Sequence, residues 1–288
     1  MTIASRRGFL QSLGASVLAG TSLPLSSVLA NGTPRPAGDA FPPLHLGIAS
    51  YSLRAFTLDQ VIEMARRLRI NRLTLKDMHL PLTLSENEIK RTLEKIRSAG
   101  LTLTSCGVVY MNSEEEVRRA FAYARAAELD MLVGVPTTSL LGKAEELVKE
   151  TGIALAIHNH GPNDDRYPSP ESAYRLIEGM DIRMGLCIDV GHTQRLGLDP
   201  AAEAERFFDR VLDVHIKDVT SSDASGSTVE IGRGVVNTPR LMAALRRLRY
   251  PRTLHIEFEK DEKDPLPGIA ESAGYLRGVA GQAEYSES

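Results

Sequence analysis

The 288-residue chain is 42% hydrophobic and carries a formal net charge of -3, which allows one large core and excludes the basic surface that holds phosphate backbones. Nucleic acid is therefore not an expected partner. The length suits a single barrel of about 250 residues behind an N-terminal leader.

The first residues read as an export signal. Arg6 and Arg7 precede an apolar run from Phe9 through Leu29 that is broken by Gly, Ser and Pro24, and Val28-Leu29-Ala30 offers small residues for cleavage after Ala30. Ser5-Arg6-Arg7-Gly8-Phe9-Leu10 resembles a twin-arginine signal, which implies delivery to the periplasm. An uncleaved anchor is the competing reading, weakened because the run is short and only mildly apolar for a span of ~20 residues. The expected organisation is a leader over residues 1–30, a linker rich in Gly, Pro and Ala over 31–43, and one folded domain over 44–288, with no stable membrane association once the leader is gone.

From Leu44 onward, short β-branched runs alternate with amphipathic stretches, the pattern of a parallel sheet covered by helices. Strands are predicted over residues 44–50, 72–76, 101–107, 131–135, 153–158, 184–189, 211–216 and 253–258. Leu58, Val61, Ile62, Ala65 and Leu68 recur at helical spacing, as do Ile89, Leu93 and Ile96. Thr57, Ser85, Ser113 and Ser169 stand where N-caps belong, and Gly100 and Gly152 where helices stop. Eight such units close into a (β/α)8 TIM barrel more readily than they form an open sheet with edges to protect. No Gly-rich dinucleotide turn follows the first strand, which counts against a Rossmann fold. The fourth unit has a weak helical signal over 136–147, so its strand is expected and its helix discounted. Residues 219–237, with Gly232-Arg233-Gly234, form the longest loop and are expected to act as a lid. Cys106 and Cys187 lie in well-separated strand runs and are expected to be buried free thiols.

Residues able to bind metal recur where barrel active sites lie, at the carboxyl ends of the last four strands. Strand five ends in His158-Asn159-His160, strand six in Asp189-Val190-Gly191-His192, strand seven carries His215-Ile216-Lys217-Asp218, and strand eight Glu257-Phe258-Glu259. Imidazole and carboxylate with one position left open suit a single divalent ion (Mn²⁺, Co²⁺, Zn²⁺ or Mg²⁺) better than a thiolate zinc site. Lys217 shares the face of His215 and is a candidate general acid, with a salt bridge to a neighbouring carboxylate as the alternative. Lys76 and His79 are candidate substrate contacts at the rim of strand two. Tyr51, Tyr110 and Phe258 are candidates for an apolar surface under a sugar ring.

The segments Cys187-Ile188-Asp189-Val190-Gly191-His192 and Asp213-Val214-His215-Ile216-Lys217-Asp218, with Gly232-Arg233-Gly234 and the strand ending at Glu257, resemble the xylose isomerase-like TIM barrel family. That family includes sugar phosphate isomerases and epimerases, inosose dehydratases and AP endonuclease 2-type barrels, and the likeness runs from Leu44 to Val279. It implies a metal held by Asp189, His215 and Glu257, with His192 beside the substrate. Where the family keeps a glutamate on strand five, this chain has His158, which becomes the fourth expected ligand, with His160 as the alternative two residues on. The family's epimerases use two metal-bound glutamates as acid and base on opposite faces of an enediolate, so His158 alters one proton-transfer arm. The expected catalytic residues are Lys217, Glu257 and His158, and the expected substrate contacts His192, His160, Lys76, His79 and Arg233.

The resemblance implies a metal-dependent sugar isomerase or epimerase that abstracts a proton next to a carbonyl of a carbohydrate or cyclitol. A lyase or hydratase acting on keto-sugars or keto-glycosides shares that first step and is the runner-up. A metal-bearing carbohydrate-binding protein without turnover is the alternative from another class, and Lys217, Asp218 and Glu259 are more acid–base equipment than binding requires. Phosphodiester hydrolysis would need several metals and a basic groove, which seven His and an acidic balance do not supply. The expected partner is a small carbohydrate, and self-association is left open.

Overall fold

A computed structural model describes residues 44–286, with side chains through residue 281. The leader and linker expected over residues 1–43 lie outside the described residues. Eight parallel strands, β1 (His45–Ala49), β2 (Arg72–Leu75), β3 (Thr102–Met111), β4 (Met131–Pro136), β5 (Ala154–His158), β6 (Met184–Asp189), β7 (Val211–Ile216) and β8 (Thr253–Ile256), close into a barrel in sequence order. Ile48 pairs with both Leu73 of β2 and Ile256 of β8, so the sheet has no edge strand. All eight predicted strands are present. The largest difference is β3, which continues four residues past the predicted end at Gly107 to Met111.

The helices α1 (Leu58–Arg67), α2 (Glu86–Ser98), α3 (Glu114–Ala126), α4 (Leu141–Thr151), α5 (Pro170–Ile177), α6 (Val190–Gln194), α7 (Pro200–Arg206), α8 (Thr238–Arg247) and α9 (Leu266–Ser286) fill the connections. Their starts follow from local chemistry. Thr57, Ser85 and Ser169 each form a reciprocal capping box, and the Ser113 hydroxyl accepts from the Glu116 N–H. Each such cap stabilises its helix by about 1 kcal/mol. The stripes Val61/Ile62/Ala65 and Ile89/Leu93/Ile96 are buried, as their spacing requires.

The discounted fourth helix is a correction: α4 spans 11 residues. Leu141, Ala144 and Val148 bury one face, and Gly152 ends the helix at φ 77°, a left-handed conformation that glycine adopts without strain. Its start was hidden because no side chain caps it and a 3₁₀ turn over Thr138–Leu140 leads in.

The long loop after β7 is pinned by Asp218. One carboxylate oxygen accepts the N–H groups of Val219 and Val236, and the other accepts those of Gly232 and Gly234. This fastens a hairpin of Asp218–Val219 with Thr228–Val229 over the end of β7. Asp218 is thus a loop anchor rather than part of the acid–base equipment. Cys106 and Cys187 are free and buried.

Candidate active site

The carboxyl ends of four adjacent strands bring His158, Asp189, His215 and Glu257 together, each offering one ligand atom within 4.8 Å of all the others. All four are buried. His158 Nε2 lies 3.5 Å from Asp189 Oδ2 and 3.9 Å from Glu257 Oε2, and His215 Nδ1 lies 3.2 Å from Glu257 Oε2. Lys217 stands at the centre of the acidic groups, with Nζ 3.1 Å from Asp189 Oδ2, 3.0 Å from Glu257 Oε2 and in contact with Glu259. The glycine between Asp189 and His192 makes room for that side chain, since a Cβ on Gly191 would meet Lys217 Cγ at 2.4 Å. Asn159 braces the same turn, accepting from the Asp189 N–H and donating to Thr193.

This set of donors fits a divalent cation. Both nitrogens of His158 are buried without a hydrogen-bond partner, a condition that costs about 1–3 kcal/mol per group unless something binds them. Asp189, Glu257 and Glu259 set three carboxylates against the one ammonium of Lys217, leaving two negative charges uncompensated. Burial opposes a charge on His215, yet Glu257 and Asp213 raise its pKa, so the cluster attracts positive charge. Nitrogen and oxygen donors without thiolate suit Mn²⁺, Co²⁺, Zn²⁺ or Mg²⁺.

The same electrostatics set the proton states. Burial opposes ionisation of Glu257, but the Lys217 ammonium and His215 hold its carboxyl well below the usual range. Asp189 is likewise held low against burial by Lys217 and His192. Burial opposes the charge on Lys217, and the three carboxylates overcome it and lift its pKa far above the ordinary lysine value. An ammonium held this firmly is a better hydrogen-bond donor than proton donor.

A cavity of about 370 Å³ opens onto the cluster. Tyr51, Lys76 and Tyr110 enter it from β1 to β3, His158, His160 and His192 from β5 and β6, and Glu257 and Glu259 from β8. Lys76 Nζ donates to the Val108 carbonyl at 3.0 Å and lies over the Tyr51 and Tyr110 rings. His160 Nε2 is 2.9 Å from the Tyr110 hydroxyl. Burial, with His158 and His192 nearby, pushes His160 down to about 3, and burial lowers His192 as well. Neutral imidazoles offer a donor and an acceptor each, which suits sugar hydroxyls.

This shift has a measurable consequence. An unfolded His160 takes up a proton near pH 6.5 and the folded one only at about 3, so the unfolded state binds more protons between those values and stability falls as pH drops through that window. His160→Asn is expected to flatten the fall in urea midpoint of the metal-free protein between about pH 6 and about pH 4. An unchanged slope would contradict the assignment.

Three expected contacts lie elsewhere. His79 uses both ring nitrogens on the scaffold, at 3.0 Å to Ser50 Oγ and 3.0 Å to the Phe56 carbonyl, so it has none to offer a substrate. Arg233 is exposed and forked onto Glu271 of α9, away from the cavity lining. Phe258 is buried against Gly268 rather than under a sugar. Asp213 and His255, which carry no motif-assigned role, each lie two residues before a cluster residue and so on the same strand face.

A closed (β/α)8 barrel with a His–Asp–His–Glu cluster at the carboxyl ends of its strands defines the class. Residues 138–279, just under half of the chain, match the model of the xylose isomerase-like TIM barrel family. Rhizopine catabolism protein MocC of Rhizobium meliloti is 30% identical over 137 residues, covering 42% of this chain and 42% of that protein, so the chain spans less than half of this relative. Among solved structures, the apo form of 3-keto-D-glucoside 4-epimerase YcjR from E. coli is 16% identical with a TM-score of 0.67, covering 82% of this chain and 99% of that one. The IolI protein with a bound zinc atom is 14% identical with a TM-score of 0.68, covering 83% and 99%. Likenesses at such identity establish the fold. The similar barrels also include a D-tagatose 3-epimerase-like protein and a probable 3-DHS dehydratase from Bacillus anthracis.

Proposed function

We propose that this chain is a divalent-metal-dependent sugar isomerase or epimerase that removes the proton next to a carbonyl of a carbohydrate or cyclitol. The observation that carries this reading is the buried His158–Asp189–His215–Glu257 cluster, two positive charges short of neutrality with Glu259 and Lys217 included, facing a sugar-sized cavity. These four residues would hold a divalent ion, which would supply Lewis acidity toward a carbonyl or hydroxyl oxygen. Glu257, kept ionised by Lys217, is the base that accepts the carbon-bound proton. Lys217 donates a hydrogen bond toward the developing enediolate oxygen. His160 and His192 hold hydroxyls, Lys76 the far end of the ring, and Tyr51 and Tyr110 displace water from the mouth. In an epimerisation Glu257 keeps the proton it removes, and a second, solvent-exchanged proton reaches the opposite face from the β5 side, three strands round the barrel, where His158 stands.

A lyase acting on keto-sugars or keto-glycosides is the second reading, favoured by the imidazole on β5, which can protonate a departing oxygen after the same first step. Ketoses, inososes and 3-keto-glycosides offered with Mn²⁺ or Co²⁺ separate the two readings. A rearranged sugar identified by NMR supports isomerisation or epimerisation, whereas an ultraviolet-absorbing enone or a released aglycone supports the lyase. Calorimetric binding without product from any of them would leave a binding protein. An exported, periplasmic location is part of the proposal: the mature protein is expected to lack Met1 to about Ala30 by intact mass, and retention of Met1 contradicts it.

A further inference from the structure

One layer deeper in the barrel, β7 and β8 carry a second pair of polar side chains, Asp213 and His255, with relative exposures of 0% and 1%. Branched apolar residues usually fill such layers, and burying an acid–base pair there carries a desolvation penalty. The pair is built with care on several sides. His255 Nδ1–H donates to Asp213 Oδ1 at 2.8 Å, and the same oxygen accepts the Val214 N–H at 2.9 Å. His255 Nε2 meets Thr104 Oγ1 at 2.8 Å, and that hydroxyl also reaches the Leu73 carbonyl at 2.8 Å. β1 leaves space for the ring, because a Cβ on Gly47 would sit 2.6 Å from His255 Cδ2. With Oδ1 fully engaged, Asp213 Oδ2 is left facing His215 Nε2 at 3.7 Å, and neither atom has a hydrogen-bond partner.

We propose that Asp213 is the positioning residue for His215 and that His255 and Thr104 hold it in place. The inference rests on the metal reading above. His215 directs Nδ1 into the cluster, toward Glu257; with a metal held at Nδ1 the ring's proton would sit on Nε2, which points at Asp213. A carboxylate behind a metal-binding imidazole fixes the tautomer, orients the ring and strengthens it as a donor. The 3.7 Å separation is less than 1 Å from a normal hydrogen bond of about 2.9 Å, a distance that a small ring movement closes. At the opposite end of the barrel a cavity of about 490 Å³ among the strand starts borders Thr104, Asp213 and His255.

The test uses the full chain with Asp213→Asn, Asp213→Glu and His255→Gln. Co²⁺ and Zn²⁺ affinity are read by competition with a chromogenic chelator, the Co²⁺ ligand field by its visible bands, and folding by melting the metal-free proteins. Asp213→Asn is expected to weaken binding roughly 10–100-fold and to shift the Co²⁺ bands. Asp213→Glu should recover part of the loss, and His255→Gln should move both readouts in the same direction by less. A folded Asp213→Asn protein with native affinity and native bands overturns the proposal. If that variant does not fold, native affinity and bands in His255→Gln overturn it instead. Wild-type protein that takes up no metal overturns this inference and the metal reading together, whereas wild-type uptake that the variants leave untouched overturns the inference alone. A second equivalent of metal that disappears in Asp213→Asn would make Asp213 a ligand and overturn its role as a brace.

Discussion

Glu257→Gln is expected to lower turnover by about two to four orders of magnitude even at saturating metal, the range for loss of a positioned acid–base group. The amide keeps the shape of the side chain but cannot accept the carbon-bound proton, and it removes one of the negative charges around His158, His215 and Lys217. Metal affinity should fall as well, because the remaining donors no longer balance a divalent ion. Steady-state rates across a metal titration separate the two effects: added metal recovers the binding loss and leaves the proton-transfer loss. A saturated rate within tenfold of native would show that Glu257 is not the base.

Lys217→Met should destabilise the metal-free protein by about 3–5 kcal/mol, the usual result of removing one partner from a buried ion pair. At about 2–4 °C per kcal/mol for a domain of this size, the midpoint falls by roughly 10 °C. The cause is specific, since Asp189 and Glu257 lose the ammonium that holds both ionised. The sign of the pH dependence follows. In the native protein these carboxyls titrate below their unfolded values, so their contribution is present above about pH 4 and is lost as pH falls through the folded values. In the variant, protonation removes the uncompensated charge, so the deficit narrows on acidification, and it narrows at neutral pH when divalent metal is added. Turnover should drop by about two orders of magnitude. A native midpoint in the metal-free variant would contradict the ion-pair assignment.

Much of this architecture is legible in the amino-acid order because its causes are local. The strands are buried on both faces and read as short β-branched runs, and Ser or Thr before an apolar stripe marks the starts of α1, α2, α3 and α5. The clustered residues are visible for a different reason: a barrel directs the carboxyl ends of all its strands to one mouth, so His158, Asp189, His215 and Glu257 can be grouped without knowing any distance. What stays hidden depends on tertiary neighbours. Nothing near His79 shows that Ser50 and Phe56 occupy its nitrogens, and Arg233 finds Glu271 only after α9 packs. Lys217 reads as either acid or salt-bridge partner until three carboxylates from two strands close on it. Asp213 and His255 carry the right period, but their pairing depends on β7 lying beside β8.

The claim that this centre removes a proton next to a carbonyl is tested most directly in heavy water. Native protein loaded with Mn²⁺ or Co²⁺ is incubated with ketoses, inososes and 3-keto-glycosides in turn, alongside chelated protein and Glu257→Gln, and deuterium incorporation is followed by mass spectrometry and NMR. Incorporation is predicted at the carbon next to the carbonyl in at least one substrate, lost on chelation and nearly lost in the variant. Exchange that persists at the native rate after the metal is stripped, or no exchange in any substrate that calorimetry shows to be bound, would contradict it.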